Sequence, residues 1–145
     1  MGVYQDNRQV RFDYEILETF EAGLELLGFE TKAIRNGRVN LAGSVALIRG
    51  GEAYLLNTDI PPYQPNNTPE GYDSKRTRRL LLTREEIKYL TGKLDKSGLT
   101  LAPLKVYSKH RKIKIELGLA KRKKNTDKRA TIKKHEVDRE IRRVL

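Results

Sequence analysis

The chain has 145 residues, 37% apolar and 34% charged, with 30 Lys and Arg against 19 Asp and Glu for a net charge of +11. That length suits one domain with a tail and one modest core. The excess charge points to a polyanionic partner, either nucleic acid or an anionic membrane surface. No run approaches the ~18 apolar residues of a membrane span, and the N-terminal MGVYQDNRQVRF carries no apolar stretch of the secretory type. With no cysteine, disulfides and Cys metal sites are excluded. The expected setting is the cytoplasm, with nucleic acid the favoured partner. A lipid surface would call for a basic amphipathic helix with bulky aromatics, which the one candidate helix lacks.

In chain order, Phe12 to Leu26 has apolar residues at most even positions and polar ones at most odd positions. This is period two, so a long half-buried strand is expected, bent or bulged at Gly23. A short helix is expected at Gly28–Asn36, ended by Gly37. Ser44–Ile48 and Ala53–Ile60 flank Gly50-Gly51, a hairpin signal. The four prolines between Pro61 and Lys75 mark a loop. Thr83-Arg84-Glu85-Glu86 has capping-box spacing and opens a helix with Ile87, Leu90 and Leu94 on one face, stopped by Gly98. Leu99–Tyr107 and Lys112–Ala120 read as a closing pair of strands, with Ile113, Ile115, Leu117 and Leu119 alternating against polar neighbours. The expected class is mainly β: an OB-type closed barrel with flanking short helices and a flexible basic C-terminal tail.

The charge divides the chain. Residues 121–145 hold 11 Lys/Arg and 4 Asp/Glu, a net of +7; residues 1–120 hold the remaining 19 and 15, a net of +4. A boundary is expected after Ala120, with residues 1–120 forming an RNA-binding barrel and 121–145 a basic tail. Four clustered cations at the start of that tail repel one another and favour solvent or RNA.

No catalytic constellation stands out. His110 and His135 sit in a basic turn and the basic tail, and metal-ligand spacings are absent. Glu15, Glu18 and Glu21 differ in parity and cannot share one strand face, so a nuclease site is disfavoured. The cluster Lys75-Arg76-Thr77-Arg78-Arg79 reads either as solvated edge-strand charge or as a footprint on RNA phosphates. Phe12, Tyr14 and Phe20 share the expected inward face, whereas Tyr63 and Tyr72 lie in the Pro-rich loop and are freer to stack on bases.

Ordered blocks of the chain resemble the SmpB family. They include Tyr14-Glu15-Ile16-Leu17-Glu18-Thr19-Phe20-Glu21-Ala22-Gly23-Leu24, Lys32 to Arg38 with Asn40-Leu41, and Gly51 to Leu55. Arg76-Thr77-Arg78-Arg79-Leu80-Leu81-Leu82, Lys96 to Leu101, Pro103 to Tyr107, Gly118 to Lys121, and Asp127-Lys128-Arg129 continue the order. The resemblance implies an RNA-binding protein of trans-translation, not an enzyme, with no cofactor and no metal. Such a protein binds the tRNA-like domain of tmRNA (SsrA RNA), delivers it to stalled ribosomes, and places its tail in the empty mRNA channel so that the nascent chain is tagged and released. The implied partners are tmRNA, the small ribosomal subunit with its rRNA, and EF-Tu in complex with alanyl-tmRNA, with the protein itself a monomer. Carried over by position, Glu21, Gly23, Arg76, Arg78, Leu81, Lys121, Lys123 and Lys124 are the expected RNA-binding residues. Asp127, Lys128, Arg129 and Ile141 are expected to act in the decoding region, on a tail that is disordered when free and helical on the ribosome. The alternative from the residues alone is a ribosomal or initiation-factor-like OB protein that binds rRNA without tmRNA.

Overall fold

A computed structural model of the chain describes residues 2–64, 66, 68–95 and 98–124. Its order is β1 (Gly2–Asp6), α1 (Arg8–Asp13), β2 (Tyr14–Leu24), α2 (Gly28–Arg35), β3 (Val45–Arg49), β4 (Glu52–Leu56), β5 (Arg78–Leu81), α3 (Arg84–Leu94), β6 (Leu99–Lys109) and β7 (Lys112–Arg122). The protein is mainly β, one seven-stranded antiparallel sheet with short helices. The strand pairings run β6-β3-β4-β5-β2-β7 and return to β6, with β1 added along β6. Circular pairing leaves fewer open edges for another chain to extend.

Alternation decides what lies inside. Ile113, Ile115, Leu117 and Leu119 of β7 are buried, as are Leu80 of β5, Ala53 and Leu55 of β4, and Leu101 and Val106 of β6. The expected strand β7 overruns its expected end. Lys121 pairs with Glu15 and Arg122 with Tyr14, so the sheet extends two residues past the break expected after Ala120. The register sets Glu15 directly opposite Lys121, one opposite charge across the strands.

The first expected strand is corrected at both ends. Phe12 and Asp13 belong to α1, and the strand ends at Leu24 rather than Leu26. The cause is tertiary. The Asn7 backbone N–H donates to Leu104 O at 2.7 Å and its side-chain amide to Pro103 O at 3.0 Å, which fixes the chain beside β6 and starts a helix there. The irregularity of β2 falls between Ile16 and Glu18, not at Gly23. Leu17 is the extra residue and is 46% exposed.

The two hairpins differ in chemistry. Gly50 and Gly51 join β3 to β4 with φ of +59° and +76°, the left-handed pair that a two-residue turn requires and glycine adopts freely. His110 and Arg111 join β6 to β7 with φ of +51° and +65°, in conformations that cost side-chain-bearing residues free energy.

α3 has the expected cap. Thr83 Oγ1 accepts from the Glu86 N–H at 3.2 Å and Glu86 Oε1 accepts from the Thr83 N–H at 3.0 Å. Leu90 is fully buried and Leu94 packs on the core. The helix ends at Leu94, short of the expected stop at Gly98. α2 buries Glu30, Ala33 and Ile34, and Glu30 organises everything around it.

Glu30 Oε1 accepts from the Leu27 N–H at 2.8 Å and from Arg76 Nη2 at 2.5 Å. Its Oε2 accepts from Arg78 Nε at 2.8 Å and Nη2 at 2.6 Å. Arg78, fully buried, also donates to Thr58 O at 2.7 Å, Ser74 O at 3.0 Å and the Tyr72 hydroxyl at 3.0 Å. The Tyr72 ring meets Phe29 edge-on with centroids 4.8 Å apart. This network staples the Pro-rich loop to α2 and β5. Burial pushes Glu30 toward the neutral form, but hydrogen bonds from Arg76, Leu27 and Arg78 outweigh it and hold the carboxyl at about 2. Burial, then the Glu30 hydrogen bond, push the Tyr72 hydroxyl up to about 12. Among the described residues no buried side-chain nitrogen or oxygen lacks a hydrogen-bond partner.

Candidate nucleic-acid interface

Residues of the same parity on adjacent strands form rows across the outer face of a sheet. One such row crosses five strands. Val3 of β1 pairs with Tyr107 of β6, Tyr107 with Lys114 of β7, Lys114 with Gly23 of β2, and Gly23 with Leu81 of β5. Gly23 supplies no side chain, and a Cβ there would lie 3.2 Å from the Cβ of Leu81. The row therefore dips at its centre, with Leu81, 49% exposed, leaning over the gap.

Cations surround the dip. The trough is lined by Gly23, Leu81, Arg35, Arg111, Lys112 and Lys114, with apolar walls from Leu24, Leu26 and Ile113. Arg35 at the end of α2 donates to Arg111 O at 2.7 Å, joining the helix to the β6–β7 turn. An apolar floor ringed by cations suits a polyanion that also exposes aromatic bases.

The chain matches the sequence model of the SmpB protein family over residues 4–145. The chain belongs to the SmpB family. It is 51% identical over 140 residues to an SsrA-binding protein of Gloeothece citriformis, covering 97% of this chain and 90% of the relative. It is 50% identical over 143 residues to an SsrA-binding protein of Thermosynechococcus vestitus, covering 99% and 94%. A solved chain presented as "tmRNA-SmpB: a journey to the center of the bacterial ribosome" superposes with a TM-score of 0.70 at 46% identity, covering 86% of this chain and 87% of that one.

In this SmpB-family chain the expected RNA residues fall into separate places. Gly23 and Leu81 come together in the trough, and Glu21 lies two residues from Gly23 on β2, beside it. Lys121, Lys123 and Lys124 lie at the far end of β7. Lys114 and Arg122 are eight residues apart on that strand, roughly 26 Å at ~3.3 Å per residue. There the Lys123 N–H donates to Asp13 O at 2.9 Å, and Lys121 is exposed. Asp127, Lys128, Arg129 and Ile141 lie outside the described residues.

Arg78 is a correction. Its guanidinium is spent inside the Glu30 network and is not on the surface, so it cannot meet a phosphate. Arg76 is 30% exposed and bound to the same carboxylate. Tyr72, read from its loop position as freer to stack than the strand aromatics, is tied to Glu30, Ile60 O and Phe29, and Tyr63 packs on the core. Sequence reasoning missed Arg35, Arg111, Lys112 and Lys114. The alternation of β7 carried the signal for the last two, because if Ile113 and Ile115 point in, Lys112 and Lys114 point out.

The turn at His110-Arg111 gives up stability to present a cation at the trough. Replacing the pair with Asn-Gly, the preferred two-residue hairpin turn, should raise stability by about 1 kcal/mol. The same change should weaken RNA binding and flatten the slope of log K against log salt by about one for the lost phosphate contact. Thermal melting and filter binding over a salt series check both.

Proposed function

We propose that this protein binds the tRNA-like domain of tmRNA and brings it to stalled ribosomes for trans-translation, working as a binding protein and not as an enzyme. The observation that carries the reading is the trough built on Gly23, Leu81 and Lys114, in a chain half identical along its length to SsrA-binding proteins. Binding at such a trough combines phosphate neutralisation with contact to splayed bases, which selects folded RNA over duplex or linear sequence. The circular strand pairing is consistent with an OB-type barrel, a scaffold whose outer strands and loops commonly bind nucleic acid.

The carboxylates that could suggest a nuclease do not converge. Glu18 accepts from the Tyr89 hydroxyl at 2.6 Å, while Glu21 accepts from Tyr107 and Lys109. No described helix is long and apolar enough to cross a membrane. We read the setting as cytoplasmic, the protein as monomeric, and its further partners as the small ribosomal subunit and EF-Tu carrying alanyl-tmRNA. The segment with Asp127, Lys128, Arg129 and Ile141 is assigned to the mRNA channel. Recovery of the protein from its native cells, followed by sequencing of the bound RNA, tests the reading. Enrichment of tmRNA over rRNA fragments is expected, and rRNA without tmRNA would favour the ribosomal-protein alternative.

A further inference from the structure

Glu21 runs against the charge of its surroundings. It stands beside a trough ringed by four cations and directly opposite Glu116 on β7, a like-charge pairing that is unfavourable across strands. A carboxylate there also repels RNA phosphate. The structure nevertheless fixes it. Tyr107, only 4% exposed, donates its hydroxyl to Glu21 Oε2, and Lys109 Nζ lies 3.3 Å from the same oxygen. Glu116 has separate partners, Arg11 at 3.6 Å and Lys105 at 3.8 Å. Both Glu21 contacts fall on Oε2 and Oε1 takes part in neither, while the side chain remains 39% exposed. The Tyr107 hydrogen bond, against a smaller effect of burial and with help from Lys109 and Lys114, holds Glu21 below the usual carboxylate range and therefore ionised. The exposed Lys109–Glu21 pair adds little to folding, while the Tyr107 hydrogen bond satisfies the hydroxyl of a buried ring and at the same time fixes the orientation of the carboxylate.

We propose that Tyr107 is a positioning residue that, with Lys109, aims the Glu21 carboxylate so that Oε1 accepts hydrogen bonds from the amino or imino N–H of an unpaired cytosine or guanine in folded RNA. This rests on the reading of the trough as the tmRNA site. A carboxylate cannot contact phosphate favourably but does accept from base amino groups. Two residues along the same face Leu81 packs closely over Gly23, and, half exposed, it offers an apolar surface for a base ring. Holding the acceptor in place beforehand reduces the ordering cost of binding.

The test uses the full-length protein and the labelled tRNA-like domain of tmRNA, with an unstructured RNA of equal length as control. Glu21→Ala, Tyr107→Phe, Lys109→Ala and the double variants Glu21→Ala/Tyr107→Phe and Glu21→Ala/Lys109→Ala are compared by filter binding over a salt series, with melting curves for each. Glu21→Ala and Tyr107→Phe should each weaken binding roughly tenfold, the scale of one charged hydrogen bond. Each double variant should be no weaker than Glu21→Ala alone, because residues acting through one contact are not additive. Tyr107→Phe should leave the salt slope unchanged, since no phosphate contact is lost. If Tyr107→Phe melts early, Lys109→Ala, at a position 44% exposed, carries the test by the same non-additivity with Glu21→Ala. Additive losses, or loss from Glu21→Ala with none from Tyr107→Phe and Lys109→Ala, would overturn the positioning role while leaving the RNA site intact. If the unaltered protein binds both RNAs equally, the functional reading falls and the positioning role falls with it.

Discussion

Arg78→Ala should lower the free energy of unfolding by about 3–5 kcal/mol, the cost of removing one partner from a buried ion pair. The loss leaves Glu30, fully buried, with one guanidinium where it had two, strips the Arg78 donor from the Thr58 carbonyl, and leaves the Ser74 carbonyl with the Ile60 N–H alone. For a domain of this size the melting temperature should fall by roughly 10–20 °C, and urea unfolding should show the same loss. Arg76→Ala, at a partly exposed position, should cost nearer about 1 kcal/mol. The network also sets an acid limit. The Glu30 carboxyl sits at about 2 in the folded protein against an ordinary value of 4.5. Its contribution is complete above the unfolded value and is lost as pH falls toward the folded one. The difference corresponds to something on the order of 3 kcal/mol. Unfolding measured between pH 5 and 2 should therefore weaken steeply, and Glu30→Gln should flatten that stretch.

A stop after Lys124 should abolish tagging of stalled chains while most affinity for tmRNA survives. The deleted segment carries 7 Lys/Arg and 4 Asp/Glu, a net of +3, so the remaining chain keeps +8 of the +11. The trough with Arg35, Arg111, Lys112 and Lys114 is untouched. Replacing Asp127, Lys128 and Arg129 together with Ala should have the same effect on tagging. A reconstituted translation system stalled on a message without a stop codon, with the tag detected on the nascent chain, separates the two properties. Full tagging by the truncated protein would assign rescue to another part of the molecule.

The strands that carry both kinds of alternation were legible in the sequence. β7 shows it best, since Ile113, Ile115, Leu117 and Leu119 fix its inward face and thereby place Lys112 and Lys114 outside. The Thr83 cap and the Gly50-Gly51 turn were equally readable because their signals are local. β1 and α1 were not, because Asn7 is fixed by backbone carbonyls of β6, nearly a hundred residues away in sequence. Arg78 shows how composition misleads. Four cations in five residues suggested a surface patch, yet counting back by twos from buried Leu80 places Arg78 inside. Its partner Glu30 is 48 residues distant, and no local rule pairs them. The trough itself is a register effect. Leu81, Gly23, Lys114 and Tyr107 meet only because four strands align at one level, and sequence spacing carries no trace of that alignment.

We propose that the Gly23–Leu81–Lys114 trough selects a folded tRNA-like RNA. Competition binding at physiological salt, between the tRNA-like domain of tmRNA and an unstructured RNA of equal length, tests it most directly when run with the unaltered protein and with Leu81→Ala/Lys114→Ala. The folded RNA should bind the unaltered protein at least about tenfold more tightly, and the double variant should lose that preference while retaining weak, salt-sensitive binding to both. Equal affinity of the unaltered protein for the two RNAs, or a preference unchanged in the double variant, would contradict it.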